Sequence, residues 1–361
     1  MIGVGRPAPM FGAPSRANPN FVFASQGGAY ILLAFLPQDL VAREAMLASI
    51  NAHRRLFGDN RLRAFGVLRD EGLFGQSEEG GGLRWFLDAD GAISRLYGAL
   101  DDDGAERGRW VLIDPSLRIQ FWADGPAESE RFFAAVATLP PPERHAGTEL
   151  CAPVLVAPRI FEPELCRRLI DIYEADGGTA SGVMREVDGK TVGVLDNFKR
   201  RRDAIVSDPE IQAELRARLG TRLLPEIEAA FQFKATRMER YIVACYDARE
   251  GGYFQPHRDN TTKGTAHRRF ACSINLNAEE FEGGDLRFPA FPGRTYRPPT
   301  GGAVVFSCSL LHEATPVTKG KRYAFLPFFY DEVAAKIREA NLGFLAAAPA
   351  PQTQATAPQP A

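Results

Sequence analysis

Gln255-Pro256-His257-Arg258-Asp259-Asn260 and, farther on, Leu311-His312-Glu313-Ala314-Thr315-Pro316-Val317-Thr318 decide how this chain is read. His257 and Asp259 are two positions apart, so on a strand, where side chains alternate, they share a face. His312 lies 53 residues beyond Asp259, and Arg322 ten residues beyond that. Two imidazoles and one carboxylate can occupy one face of an octahedral iron(II) and leave three positions open. Two of these suit a bidentate 2-oxo acid and one suits dioxygen, while a downstream cation can hold the acid's far carboxylate. A lone His-x-Asp is more often an ordinary surface or core pair. Here His312 follows a buried-looking strand, Arg322 opens the next, and Gly283-Gly284 lies between Asp259 and His312 as a tight turn. That order of elements favours the metal site.

Outward from this site, the second part of the chain begins with helices. Pro163 suits the first turn of one carrying Leu165, Leu169, Ile172 and Tyr173, and Asp208-Pro209 caps another through Ile211, Leu215 and Leu219. Strands are then expected at 237–246, 268–276, 285–288, 303–308 and 322–330, separated by Gly- and Pro-rich turns. Many short strands after helices predict an α+β unit with an antiparallel barrel or jelly roll over residues 150–335. The Pro-rich run at 139–149 reads as a linker. Before it, residues 1–138 read as α/β: strands at 30–36, 63–68, 110–113 and 118–122, and helices at 40–57, capped by Asp39, and 127–139. The Ala-, Pro-, Gln- and Thr-rich stretch 346–361 predicts disorder.

At 361 residues the chain has room for two domains, and 45% hydrophobic residues can fill both cores. A net charge of −2 gives no overall pull toward nucleic acid or an anionic membrane. The longest apolar run, 30–36, is strand-sized, and no charged start precedes an apolar segment at the N-terminus. The five cysteines, Cys151, Cys166, Cys245, Cys272 and Cys308, include no Cys-x-x-Cys pair. Together these features predict a reducing, cytoplasmic setting without structural disulfides. The basic run Lys199-Arg200-Arg201-Arg202 could hold an acidic or phosphorylated substrate, but reads first as a solvated loop.

Over residues 150–333 the chain resembles the iron(II)- and 2-oxoglutarate-dependent dioxygenases of the prolyl 4-hydroxylase-like group. The resemblance rests on Val243-Ala244-Cys245-Tyr246, Gly252-Tyr253-Phe254-Gln255-Pro256-His257-Arg258-Asp259, Glu282-Gly283-Gly284-Asp285-Leu286 and His312 through Tyr323. It implies a double-stranded β-helix, with His257, Asp259 and His312 as iron ligands. It also implies Arg322 on the distal carboxylate of 2-oxoglutarate, with Lys321 as the competing cation. A planar fork favours Arg322, and Lys321, one position earlier, should point the other way. Tyr246 matches a tyrosine beside the co-substrate. Asn275 stands where some relatives place a tyrosine that touches it. An acidic residue at 259, where halogenating relatives have a small one, implies hydroxylation. The resemblance further implies dioxygen as co-substrate, succinate and carbon dioxide as products, and ascorbate as a candidate reductant. The substrate is expected to be peptidyl and prolyl-like, or a small molecule.

The first 138 residues resemble the peroxiredoxin branch of the thioredoxin fold. Gly5 to Phe11, Ile31 to Pro37, Phe65 to Asp70 and Leu96-Tyr97-Gly98 carry the likeness. Where the peroxidatic cysteine should follow Pro37, the chain reads Gln38-Asp39-Leu40-Val41, with no thiol. Peroxide reduction needs a thiolate. The expectation is therefore a scaffold, a substrate-docking surface or a homodimerisation module. The competing reading of the whole chain is a non-catalytic partner-binding or iron- and oxygen-sensing protein.

Overall fold

The computed structural model describes residues 2–345, so the tail predicted to be disordered lies outside the described residues. The chain divides into two compact units, one of residues 1–152 with 287–295, the other of 153–286 with 296–361. The Pro-rich stretch read as a linker thus belongs to the first unit. There His145 Nε2 meets Ser116 Oγ at 3.0 Å, and Arg294 donates to Glu149 at 3.1 Å.

The first unit is built on a five-stranded sheet. Strand β1 (Tyr30–Phe35) pairs in parallel with β2 (Leu62–Leu68), and β2 in parallel with β3 (Leu83–Leu87). On the other side β1 pairs antiparallel with β4 (Arg109–Ile113), and β4 with β5 (Ile119–Asp124). Every residue of β1 is buried, because alternate side chains feed a different core on each face: Ile31, Leu33 and Phe35 one, Tyr30, Leu32 and Ala34 the other. Gly66 is required where it stands: a Cβ would lie 2.1 Å from the Trp85 ring. Helix α1 (Leu40–Ala52) starts at Asp39, whose carboxylate accepts from the Ala42 N–H at 2.8 Å. It ends earlier than the periodicity predicts; Phe57 lies past a separate 3₁₀ turn, Arg54–Leu56. Helix α2 (Ser129–Ala137) places Phe132, Phe133 and Val136 in the second of those cores.

In the second unit α3 (Pro163–Asp176) and α4 (Pro209–Arg222) start where their prolines predict, and α5 (Leu224–Phe231) follows at once. One sheet contains, as successive neighbours, β8 (Arg237–Glu239), β16 (Phe328–Tyr330), β11 (Phe270–Asn275), β15 (Lys321–Phe325), β9 (Ile242–Asp247) and β7 (Arg202–Ile205). In another, β6 (Lys199–Arg200), β10 (Tyr253–His257) and β14 (His312–Ala314) lie side by side. Of the strands between, β12 (Glu282–Gly283) pairs antiparallel with Val317–Lys319, and β13 (Ala303–Ser307), in the larger sheet, pairs antiparallel with β11. The alternation of β9 divides two cores. Val243 and Cys245 join Leu165, Leu169, Leu215 and Leu219 of the helices, whereas Ala244 and Tyr246 join Phe254, Phe281, Ala314 and Val317. The strand predicted over 237–246 is interrupted at Arg240, whose φ is 72°. The strand predicted over 322–330 is likewise two, β15 and β16. A hairpin, Val183–Val187 with Lys190–Val194, has no counterpart in the sequence reading.

Candidate metal centre

His257 ends β10 and His312 begins β14, and the antiparallel register sets these two residues directly opposite each other. Cross-strand neighbours approach closely; the imidazole centroids are 4.3 Å apart. Asp259 follows two residues after His257, its backbone N–H donating to the Cys308 carbonyl at 2.9 Å. The resulting trio offers two nitrogens and one oxygen, all within 4.8 Å of one another. His257 Nε2 lies 3.6 Å from Asp259 Oδ1, and His312 Nε2 lies 3.3 Å from Asp259 Oδ2. Cis ligands about 2.1 Å from an octahedral ion would stand about 3 Å apart, so small movements would seat one.

The surroundings orient the donors. His257 Nδ1–H donates to the Gln255 carbonyl at 2.7 Å, and His312 Nδ1–H to the Leu310 carbonyl at 3.0 Å. Both rings therefore turn Nε2 toward Asp259, in the neutral tautomer that ligates metals. Phe254 stacks on His257 with centroids 3.5 Å apart, and Phe306 tilts against His312 at 4.5 Å. Burial, reinforced by His312, pushes the His257 pKa down to about 4, so the ring is neutral at pH 7.

Arg322 lies on β15 and is 3% exposed. Its Nη2 donates to Ser273 Oγ at 2.9 Å and its Nε to Asn275 Oδ1 at 3.4 Å. The guanidinium carbon stands 5.3 Å from the centre of the Tyr246 ring. No carboxylate pairs with Arg322 among the described residues. Gly284, with φ 68°, leaves it room: a Cβ there would come within 3.2 Å of Arg322 Cδ. Lys321 points away and pairs with Glu174 at 3.0 Å on the surface. Asn275 holds Arg322 and donates to the Pro298 carbonyl at 2.9 Å. The structure thus brings together six residues singled out in the sequence, His257, Asp259 and His312 in one cluster, and Tyr246 and Asn275 around Arg322. Ser273 and Phe254 were missed. Ser273 is two positions before Asn275, and strand parity could have found it.

The profile of the 2OG-Fe(II) oxygenase superfamily matches residues 241–330. A PKHD-type hydroxylase of Cupriavidus metallidurans is 31% identical over 162 residues, 42% of this chain and 68% of that protein. A PKHD-type hydroxylase of Synechococcus sp. (strain JA-3-3Ab) is 29% identical over 89 residues, 23% of this chain; the chain spans only 39% of that relative. Among solved structures, a Pseudomonas putida prolyl-4-hydroxylase is 19% identical, with a TM-score of 0.39, covering 50% of this chain and 94% of its own. A Plasmodium vivax 2-Cys peroxiredoxin is 20% identical, with a TM-score of 0.33, covering 40% of this chain and 99% of its own. No helix among the described residues is long and apolar enough to cross a membrane. Because the profile spans all three clustered side chains and the Cupriavidus relative is matched over two thirds of its length, this chain belongs to the 2OG-Fe(II) oxygenase superfamily.

Proposed function

We propose that the second unit is an iron(II)- and 2-oxoglutarate-dependent hydroxylase, with His257, Asp259 and His312 holding the metal. The observation that carries this reading is the cluster of two imidazoles and one carboxylate within 4.8 Å. Bound there, iron(II) would supply open positions at which 2-oxoglutarate and dioxygen react, giving succinate, carbon dioxide and an oxygen atom for a C–H bond. The chain's own residues do the positioning. The two backbone carbonyls fix the imidazole tautomers, and Asp259 fills the position a halide would need. Arg322, buried without a counter-charge, holds the distal carboxylate of the co-substrate. Ser273 and Asn275 aim that guanidinium, and Tyr246 walls it in. The two cores divided by β9 support a jelly roll for this unit.

We read the substrate as peptidyl and prolyl-like, or as a small molecule; the hydroxylase names of the relatives support the reaction class. Ascorbate is the reductant we would add. We read the first unit as a thioredoxin-like scaffold that docks a substrate or a second copy, supported by its sheet order and its missing thiol. Unpaired cysteines suit a cytoplasmic setting. The test is mass spectrometry of a cell lysate incubated with the full-length protein, iron(II) and 2-oxoglutarate. The expected result is a product heavier by one oxygen atom that depends on both additions. Its appearance without 2-oxoglutarate would overturn the reading.

A further inference from the structure

The run Lys199-Arg200-Arg201-Arg202 reads as a solvated loop, yet alternate members turn inward. Lys199 and Arg201 are 9% and 8% exposed, while Arg200 is open to solvent. Arg201 is balanced: it donates to Asp203 Oδ1 at 2.6 Å and Oδ2 at 2.7 Å, and to the Tyr246 hydroxyl at 3.4 Å. Lys199 is not. Its ammonium donates to Ser181 Oγ at 2.6 Å and the Gly182 carbonyl at 3.0 Å, both neutral. It also lies 4.9 Å over the Phe254 ring, the ring that stacks on His257.

Arg240 is a second uncompensated cation. It joins β8 to β9 with φ 72°, a conformation that side chains other than glycine rarely adopt. Its guanidinium lies 4.9 Å over Phe328, and Arg268 lies 4.0 Å over the same ring. The acids that act on it, Asp203 and Glu239, are already engaged, the first by Arg201 and the second by His267 and Arg268. Among the described residues Arg240 forms no hydrogen bond and no ion pair. Burial, with the like charges of Arg201 and Arg268, pulls its pKa down to about 10. Burial, then Arg201, also lowers Lys199, on which Arg240 and Asp259 both act. Lys199 thus reaches the metal centre through the Phe254 ring stacked on His257, and Arg240 shares Phe328 with Arg268, whose Nη1 donates to the Asp259 carbonyl at 3.5 Å. Lys199 is buried and Arg240 half-buried, and charge withdrawn from water without a partner is costly unless a ligand completes it.

We propose that Lys199 and Arg240 form a subsite beside the metal centre for a carboxylate of the primary substrate. This rests on the hydroxylase reading, in which Arg322 is already committed to 2-oxoglutarate. An ammonium and a guanidinium fork are suited to that anion. The subsite selects organic acids, free amino acids among them, over their neutral counterparts.

The test uses the full-length protein with saturating 2-oxoglutarate and a panel of free amino acids and short monocarboxylic acids, each beside its primary amide. With nickel(II) in place of iron(II), calorimetry reads binding without turnover; with iron(II), succinate release reads stimulation. At least one acid should bind about tenfold or more tightly than its amide. Arg240→Gln and Lys199→Gln should erase that preference, and Arg240→Lys should restore part of it relative to Arg240→Gln. A panel in which no acid outbinds its amide overturns the proposal, and so does a preference that survives both glutamine variants. Succinate release by the wild type without any added acid tests the hydroxylase reading separately. Its failure would leave the binding comparison to decide the subsite.

Discussion

Arg322 and Lys321 are adjacent, equally charged and opposite in fate. Strand alternation buries the first against Ser273 and Asn275 and sends the second to Glu174. Arg322→Ala should therefore raise the 2-oxoglutarate requirement sharply. A charge-assisted contact to a carboxylate is worth on the order of 2 to 3 kcal/mol, roughly thirtyfold or more. Lys321→Ala should change it little, because exposed ion pairs contribute about 0 to 1 kcal/mol. Steady-state titration of 2-oxoglutarate against both variants checks this, and the reverse ranking would assign the co-substrate to the wrong cation. Asp259→Gly should abolish hydroxylation; product analysis in high chloride would reveal any halogenation, and full hydroxylase activity in this variant contradicts the triad. At this scale the sequence was informative, since His-x-Asp, the second histidine and the arginine lie in short motifs whose parity fixes their faces.

Between elements, legibility depended on whether a hydrophobic period marked the strand. β1 and β9 carry one and were found; β6 and β7 did not announce themselves. Lys199 in β6 and Arg201 just after it turn inward while Arg200 is open to solvent, so a contiguous charge run hides an inward and outward alternation. The break at Arg240 was equally invisible, because an inverted φ leaves no mark in residue type. Glu239, one position earlier, ties this corner down: it accepts from His267 and Arg268, each at 2.6 Å. Burial would raise its pKa, but the hydrogen bond from His267 and the charge of Arg268 outweigh that and pull it down to about 2. A depressed carboxylate contributes stability above its unfolded pKa and loses it as the pH falls toward the folded value. The contribution of Glu239 should thus be complete above about pH 4.5 and gone near pH 2. Breaking a buried pair costs about 3 kcal/mol or more, so Glu239→Ala should unfold at clearly lower urea at pH 7. The gap to wild type should narrow below pH 4.5. A gap that widens with acid would mean the carboxylate is not held ionised.

The whole molecule joins an oxygenase unit to one whose sequence resembles a thiol peroxidase without its thiol. At the start of α1 the Gln38 N–H donates to Glu106 at 2.8 Å, and Arg69 pairs with the same carboxylate. A fixed internal anion thus sits close to where the resemblance would put a thiolate, and residues 1–150 contain no cysteine. Full-length protein supplied with a thioredoxin reductant should consume no hydrogen peroxide above background; catalytic consumption would refute the inert reading. The unit boundary was only partly legible. The Pro-rich run marked the end of the first unit approximately, but nothing in the sequence near 287–295 signals that this stretch, embedded in the second unit, belongs to the first. Long-range packing, not local composition, makes that assignment. The measurement that bears most directly on the metal centre is succinate formation from 2-oxoglutarate by purified full-length protein with iron(II), compared with His312→Ala. The wild type should bind one iron(II) and form succinate slowly even without substrate, and His312→Ala should do neither. Succinate formation by His312→Ala at the wild-type rate would contradict the assignment of His257, Asp259 and His312 as the iron site.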